Sequence, residues 1–365
     1  MINRNITYLA ITTSILVIGC IEEVDFDAPT EFQNTTIVIG KIVKGNPSSI
    51  EVSIQKLFDF AFSGESFINA ESVKVIDDQG NELIVPFETQ GIYKLIIDPF
   101  SDFEVEIGRS YGLEIKLFDG QSFKSDMEEL ISVPKINAVT HRLVEKEVKN
   151  SENELVIEER IEYFLSTTLL NQNNQERTHL KWDFEVTYKQ TDLVAKNECY
   201  VSGYANADLI QTVNINGNNS TSVEKELVLE QAVSNKMVEG QYVSVIQEAL
   251  NDEGIQFWEQ VRSLSTHSGT FYEPPPGQIF TNIRKTDNLE GSVFGYFNAT
   301  QHDSVHVFVD STFINNYTLM CPRPAHSSEP TGSFLQVGVP PCADCCFCLE
   351  HLENSTLVKP SFWKM

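Results

Sequence analysis

Ten residues near the end of the chain, CADCCFCLEH from Cys342 to His351, bring four thiols and an imidazole within reach of one another. Such groups are the ligands of tetrahedral zinc, and thiols are equally the material of disulfides. Structural zinc sites bring two ligand pairs separated by a spacer, whereas here every ligand crowds one turn-like stretch. The chain has seven cysteines. If Cys20 is set aside for the reason given below, six remain: Cys199, Cys321, Cys342, Cys345, Cys346 and Cys348. An even number in an exported chain favours disulfides over zinc, with fifteen possible connectivities for three bridges. Cys345 and Cys346 are adjacent and poorly placed to bond each other, so the cluster is expected to reach Cys199, Cys321 or both. A redox role for Cys342-x-x-Cys345 needs a thioredoxin-like βαβ context, which this tail lacks. No metal and no cofactor are expected.

Other chemistry is hard to find. The chain has no Gly-x-Ser-x-Gly elbow, no phosphate-cradling glycine loop and no His-Glu-x-x-His. His302 and His306 are four apart, but their segment reads as a strand, where i and i+4 stand about 13 Å apart. They cannot share a metal. Paired carboxylates carry no information among 52 acidic residues. No catalytic residue is expected.

The remaining thiol sits at the front, in LVIGC, Leu16 to Cys20. Arg4 supplies a positive start and Ile6 to Ile18 an apolar run of thirteen residues, short of the about 20 needed to span a bilayer. Residues 1–19 therefore read as an export leader. Its end, Val17-Ile18-Gly19-Cys20, resembles the bacterial lipobox, in which the cysteine thiol is diacylated and the bond before it is cut. Each buried methylene contributes about 0.8 kcal/mol, so two fatty chains such as palmitate anchor a protein stably. Glu22, Glu23 and Asp25 follow at once, and such an acidic patch resembles the surface-export signal of Bacteroidota lipoproteins. Residues 20–33 form a tether that reaches on the order of 20 Å as a flexible coil.

The elements beyond must form the body. Net charge is −26, which repels nucleic-acid phosphates and anionic head groups and argues against partners of either kind. A chain 41% hydrophobic and 21% charged can fill a core. From Thr35 the pattern alternates with period two, and turn signals recur at DDQGNE and at Asp119-Gly120. Residues 34–134 read as an immunoglobulin-like β-sandwich of short strands. Residues 135–365 read as a larger β-rich domain, with strands over Leu155–Leu170, Leu180–Tyr188, Leu209–Ile215, Ser222–Leu229 and Gln241–Ala249. One helix is expected near 251–266, capped by Asn251 or Asp252, with Trp258 on its core-facing stripe. FYEPPPGQIF is a stiff connection. Strands resume at Gln278–Ile283, Gly291–Thr300 and Ser304–Asp310. The fold class is mainly β.

Several stretches run in one order: SVKVIDDQGNEL with GIYKL, YGLEIKLFDGQSFKSDMEEL, the helix followed by FYEPPPGQIFTNI, GSVFGYFNAT, and the tail CADC with KPSFW. Together they resemble the Bacteroidota outer-membrane lipoproteins grouped as domain of unknown function 4249. The family pattern ends in paired cysteines and then Lys-Pro-acidic-Phe-Trp. Here Lys359-Pro360 and Phe362-Trp363 match, Ser361 replaces the acidic residue, and Cys346 and Cys348 look like additions that leave the pairing open. The resemblance implies a surface lipoprotein of the outer membrane that works beside a TonB-dependent β-barrel receptor in nutrient uptake. It implies no activity and no catalytic residues. A structural or adhesive module on the cell surface is the alternative, and a hydrolase with an unrecognised site is a third reading.

The leader makes one sharp prediction. A Cys20→Ser form leaves the membrane pellet and appears in the soluble fraction, and mass spectrometry of the parent protein finds an acylated amino terminus at residue 20.

Overall fold

A computed structural model describes residues 35–57, 67–206, 209–217, 219–266, 279–287, 292–310, 314, 317, 319–321 and 345–364. In chain order the first strands are β1 (Thr35–Lys44), β2 (Ser49–Lys56), β3 (Ala70–Asp77), β4 (Glu82–Ile84), β5 (Phe87–Thr89), β6 (Ile92–Ile96), β7 (Ser110–Leu117), β8 (Ser122–Ser125) and β9 (Glu128–Glu129). Longer strands follow: β10 (Ile136–Lys149), β11 (Leu155–Thr168), β12 (His179–Thr191), β13 (Glu198–Tyr204), β14 (Gln211–Val213), β15 (Ser222–Ala232) and β16 (Gln241–Leu250). Helix α1 (Asp252–Thr266), β17 (Ile283–Lys285), β18 (Ser292–Val309), the one-turn α2 (Cys348–His351) and β19 (Ser355–Thr356) complete the set.

Period-two alternation builds the first sandwich. In β2 Ile50, Val52 and Ile54 are fully buried while Glu51, Ser53 and Gln55 point away. They join Val38, Val73, Val75, Leu113, Ile115 and Phe123 in one core between two sheets. Both turn expectations hold. The Asp77 carboxylate accepts the N–H groups of Gln79 and Asn81 at 2.9 and 2.8 Å, and Gly80 takes a positive φ of 85°. Between β7 and β8, Gly120 has φ 92°. The Tyr111 hydroxyl donates to the Glu104 carbonyl and accepts from the Glu106 N–H, both at 2.8 Å. A tyrosine that pins the chain just upstream of its own strand in this way is a device of immunoglobulin-like sandwiches.

The second sandwich packs the three-stranded sheet β10-β11-β15 on the strands around β12 and β16. Its centre is Trp182, whose indole N–H donates to Gln247 Oε1 at 2.8 Å. Gln247 in turn donates to the Pro134 carbonyl at 2.7 Å, so the buried polar chain is closed.

One strand serves both sandwiches. The largest sheet runs β19-β13-β12-β16-β18-β1-β2-β6-β5, with β14 beside β12. The first half of β18 pairs in parallel with β1, from Thr35 opposite Ser292 to Lys44 opposite Gln301. The second half pairs antiparallel with β16, from Glu248 opposite His302 to Gln241 opposite Val309. β17 likewise adds to β8 in the six-stranded sheet. The chain thus leaves the first sandwich near Pro134 and returns to it at Ile283.

Three sequence expectations are adjusted. The strands expected at Gly291–Thr300 and Ser304–Asp310 are one strand, because the polar step between them is satisfied in place. Gln301 Oε1 accepts the Val133 N–H, Asp303 Oδ2 accepts the Ile136 N–H, and His302 meets Glu248. The strand expected at Gln278–Ile283 is found at Ile283–Lys285. Helix α1 forms as expected, with Asn251 Oδ1 accepting the Gly254 N–H at 2.6 Å. It buries Ile255 and Phe257 but leaves Trp258 only partly covered. The proline stretch at 274–276 lies outside the described residues.

Gly295 tests the shared strand. It has φ 136°, and a Cβ there would stand 1.7 Å from the Val38 carbonyl oxygen on β1. Gly295→Ala is expected to lower stability by about 3 kcal/mol, read from urea unfolding of the Cys20→Ser protein.

Candidate functional site

The leader and tether, with Cys20, Glu22, Glu23 and Asp25, lie outside the described residues, as does Cys342. The tail cysteines are placed. Cys199 on β13 is bonded to Cys348, and Cys321 to Cys345. Cys346 is also disulfide-bonded. The cluster therefore reaches both distant cysteines, and three of its thiols are spent as cross-links.

These bridges hold the tail against the large sheet. β19 pairs with β13, and Trp363 packs between Tyr200 and Tyr242 with ring centroids 5.0 Å from each. Phe362 stacks on His306 at 4.1 Å with the rings 13° from parallel. The Lys359–Trp363 motif is thus part of a wall.

That wall bounds a groove of about 350 Å³ on the open face of the sheet. Strand alternation selects its floor. On β12 and β16 the residues Trp182, Phe184, Val243 and Val245 face the core. Their neighbours Glu185, Thr187, Ser244 and Ile246 line the groove, with Ser202, Ser304 and His306 from the flanking strands. Register aligns Glu185 with Ser244, and Ser244 with His306. The Thr187 and Ser202 hydroxyls lie 2.9 Å apart, and Ser244 Oγ lies 2.7 Å from His306 Nδ1. Burial lowers the pKa of His306, which keeps its imidazole neutral at pH 7. Burial raises the pKa of Glu185, which has no hydrogen-bond or ion-pair partner among the described residues.

Ser244 and His306 resemble half of a nucleophilic site, which the sequence did not reveal because 62 positions separate them. The surroundings do not complete it. β16 is central, paired with β12 on one side and β18 on the other. Its backbone N–H groups are committed to those ladders and cannot form an oxyanion hole for Ser244.

A saturated charge cluster adjoins the groove and shares His302 with its lining. Glu248 is almost wholly buried, with Lys41 Nζ at 3.3 Å, Lys181 Nζ at 3.6 Å and His302 Nε2 at 2.7 Å. Burial alone would raise its pKa, but Lys181, Lys41 and His302 outweigh it and hold the carboxyl well below the usual range. Glu248 raises the Lys41 ammonium in return. Lys181 also donates to both oxygens of Asp183 at 2.6 Å and stands 4.7 Å over the Trp258 ring. His302 and His306 therefore serve separate partners, in keeping with their strand spacing. Among the described residues no group of three or more His, Cys, Asp or Glu is placed to hold a metal, and no helix is long and apolar enough to cross a membrane.

A family profile described as Domain of unknown function (DUF4249) matches residues 21–305. The resemblance read from the residues extends to Trp363, whereas the matched span ends just before His306. No curated protein and no solved structure matches the chain.

Glu248→Gln leaves two ammonium groups facing a neutral amide, and is expected to cost about 3–5 kcal/mol at pH 7. The folded-state pKa of Glu248 is depressed, so its contribution is present above the ordinary carboxylate range and is lost as pH falls through the folded value. Denaturant unfolding from pH 7 down to pH 3 should show the parent losing more stability than the variant.

Proposed function

The chain belongs to the DUF4249 family, and from that premise we propose that it is a lipid-anchored binding protein of the bacterial outer membrane. It is held at Cys20, faces the cell exterior, and acts as an accessory subunit of a TonB-dependent β-barrel receptor in nutrient uptake. The observation that carries the binding half of this reading is the groove over β12, β16 and β18, open to solvent and lined by hydroxyls, two imidazoles and Glu185, which has no close ion-pair partner among the described residues. Its volume falls at the lower end of small-ligand sites. Placement is supported by the lipobox-like end of the leader and by Glu22, Glu23 and Asp25 after it. The role is capture rather than turnover, in keeping with a serine that has no oxyanion hole.

A second reading, a structural or adhesive surface module, is favoured by the β10–β11 ribbon. Leu155 and Ile157, at its tip where β11 begins, are 67% and 71% exposed, as suits contact with another surface.

Co-purification separates the two. Tagged at its carboxyl terminus and drawn from detergent-solubilised native membranes, the protein should bring a β-barrel partner in near-equal amount. A preparation free of any β-barrel, with surface attachment lost on Leu155→Ser and Ile157→Ser substitution, would favour the adhesive reading instead.

A further inference from the structure

Charge and hydrogen-bonding capacity within the groove define what would fit it, and this inference rests on the binding role proposed above. Lys181 is committed to Asp183 and Glu248, and Lys41 to Glu248. His302 also faces Glu248. Glu185 is the one carboxylate that lines the groove, and among the described residues no cation stands within ion-pair distance of it; Lys41 and Lys94 act on it only from farther off. A partly buried carboxylate in that state has its charge only partly offset and keeps lone pairs open to a donor.

The neighbours of Glu185 supply acceptors more than donors. The Thr187 and Ser202 hydroxyls share one hydrogen bond, and Ser244 shares one with His306. Each such pair uses one of its two donors, keeps the other, and leaves a larger number of lone pairs free. An acceptor-rich floor with one negative charge calls for a ligand head rich in donors and positively charged. Ile246 and Phe362 add apolar surface beside it. The field of a chain with net charge −26 draws cations toward it.

We propose that the groove binds a small organic cation through a primary ammonium, seated on Glu185 with Ser244 and Thr187 as further acceptors and its alkyl portion against Ile246 and Phe362. A primary ammonium presents three N–H donors, matched to a carboxylate and two hydroxyl oxygens.

The test uses the mature chain from residue 20 with Cys20→Ser and three probes: 5-aminopentan-1-ol, the neutral isostere pentane-1,5-diol, and methyl glucoside as a neutral polyol. Affinities are measured by titration in ligand-observed NMR. The amino alcohol should bind about tenfold or more tightly than the diol, the size of one charge-assisted hydrogen bond. Glu185→Gln should abolish that preference. Because Glu185 has no hydrogen bond or close ion pair to lose among the described residues, its variant should melt at or above the parent temperature, which separates lost recognition from lost fold. Equal binding of amine and diol, or a preference that survives Glu185→Gln, overturns the ammonium assignment. Binding of the glycoside alone also overturns it, yet leaves a groove that captures small molecules. Silence from all three probes overturns both.

Discussion

Removing a carboxylate from water costs several kcal/mol unless cations and donors replace the solvent, and Glu248 meets that condition with side chains from three other strands. Lys41 comes from β1, Lys181 from β12 and His302 from β18, while Glu248 sits on β16. These strands are consecutive across the large sheet. Their meeting point lies where β18 exchanges one neighbour for the other. A slip of one residue in β16 would turn Glu248 into the core beside Trp182 and put Val245 or Val243 on the polar face. The cluster thus fixes register at the junction of the two sandwiches, at a place where apolar side chains would tolerate several arrangements.

The groove inherits its order from that register. Its floor residues stand opposite one another only because β12, β16 and β18 are aligned through Glu248, Lys181 and His302. The other boundary comes from covalent chemistry. Cys199–Cys348 joins residues 149 positions apart and Cys321–Cys345 joins residues 24 apart, so the end of the chain is held where Phe362 can stack on His306. Sheet register and cross-links together make a rigid rim and leave Glu185 as the unsatisfied member. A fully paired charge cluster and a carboxylate without a close partner among the described residues thus share one face.

Much of the fold was legible from periodicity. Ile50, Val52 and Ile54 announce a strand with one buried face, and Asn251 before an apolar stripe announces a helix and its cap. The even set of six cysteines pointed to bridges, but connectivity depends on which strands lie together, and no spacing encodes that. β18 was read as two strands because Gln301-His302-Asp303 looks like a loop until Val133, Ile136 and Glu248 are seen to satisfy it. The ribbon strand β10 escaped separate assignment because its burial is shallow and its charges face solvent. The groove was least legible of all. Glu185 is one acidic residue among 52, and its distinction is that no cation among the described residues stands within ion-pair distance, which only three-dimensional neighbours can reveal. Ser244 and His306 meet through strand pairing between distant segments, with no local motif.

The strand shared by both sandwiches bears on how the polypeptide emerges during synthesis. Thr35 waits for Ser292, 257 positions later, so the amino-terminal lobe stays one strand short after its own residues have been made. At ordinary ribosomal speeds the interval between residues 134 and 301 lasts roughly 10–30 s. Throughout that time the edge of β1 that β18 later covers has no strand beside it. Closure of that edge then comes from a segment made long after the lobe it completes.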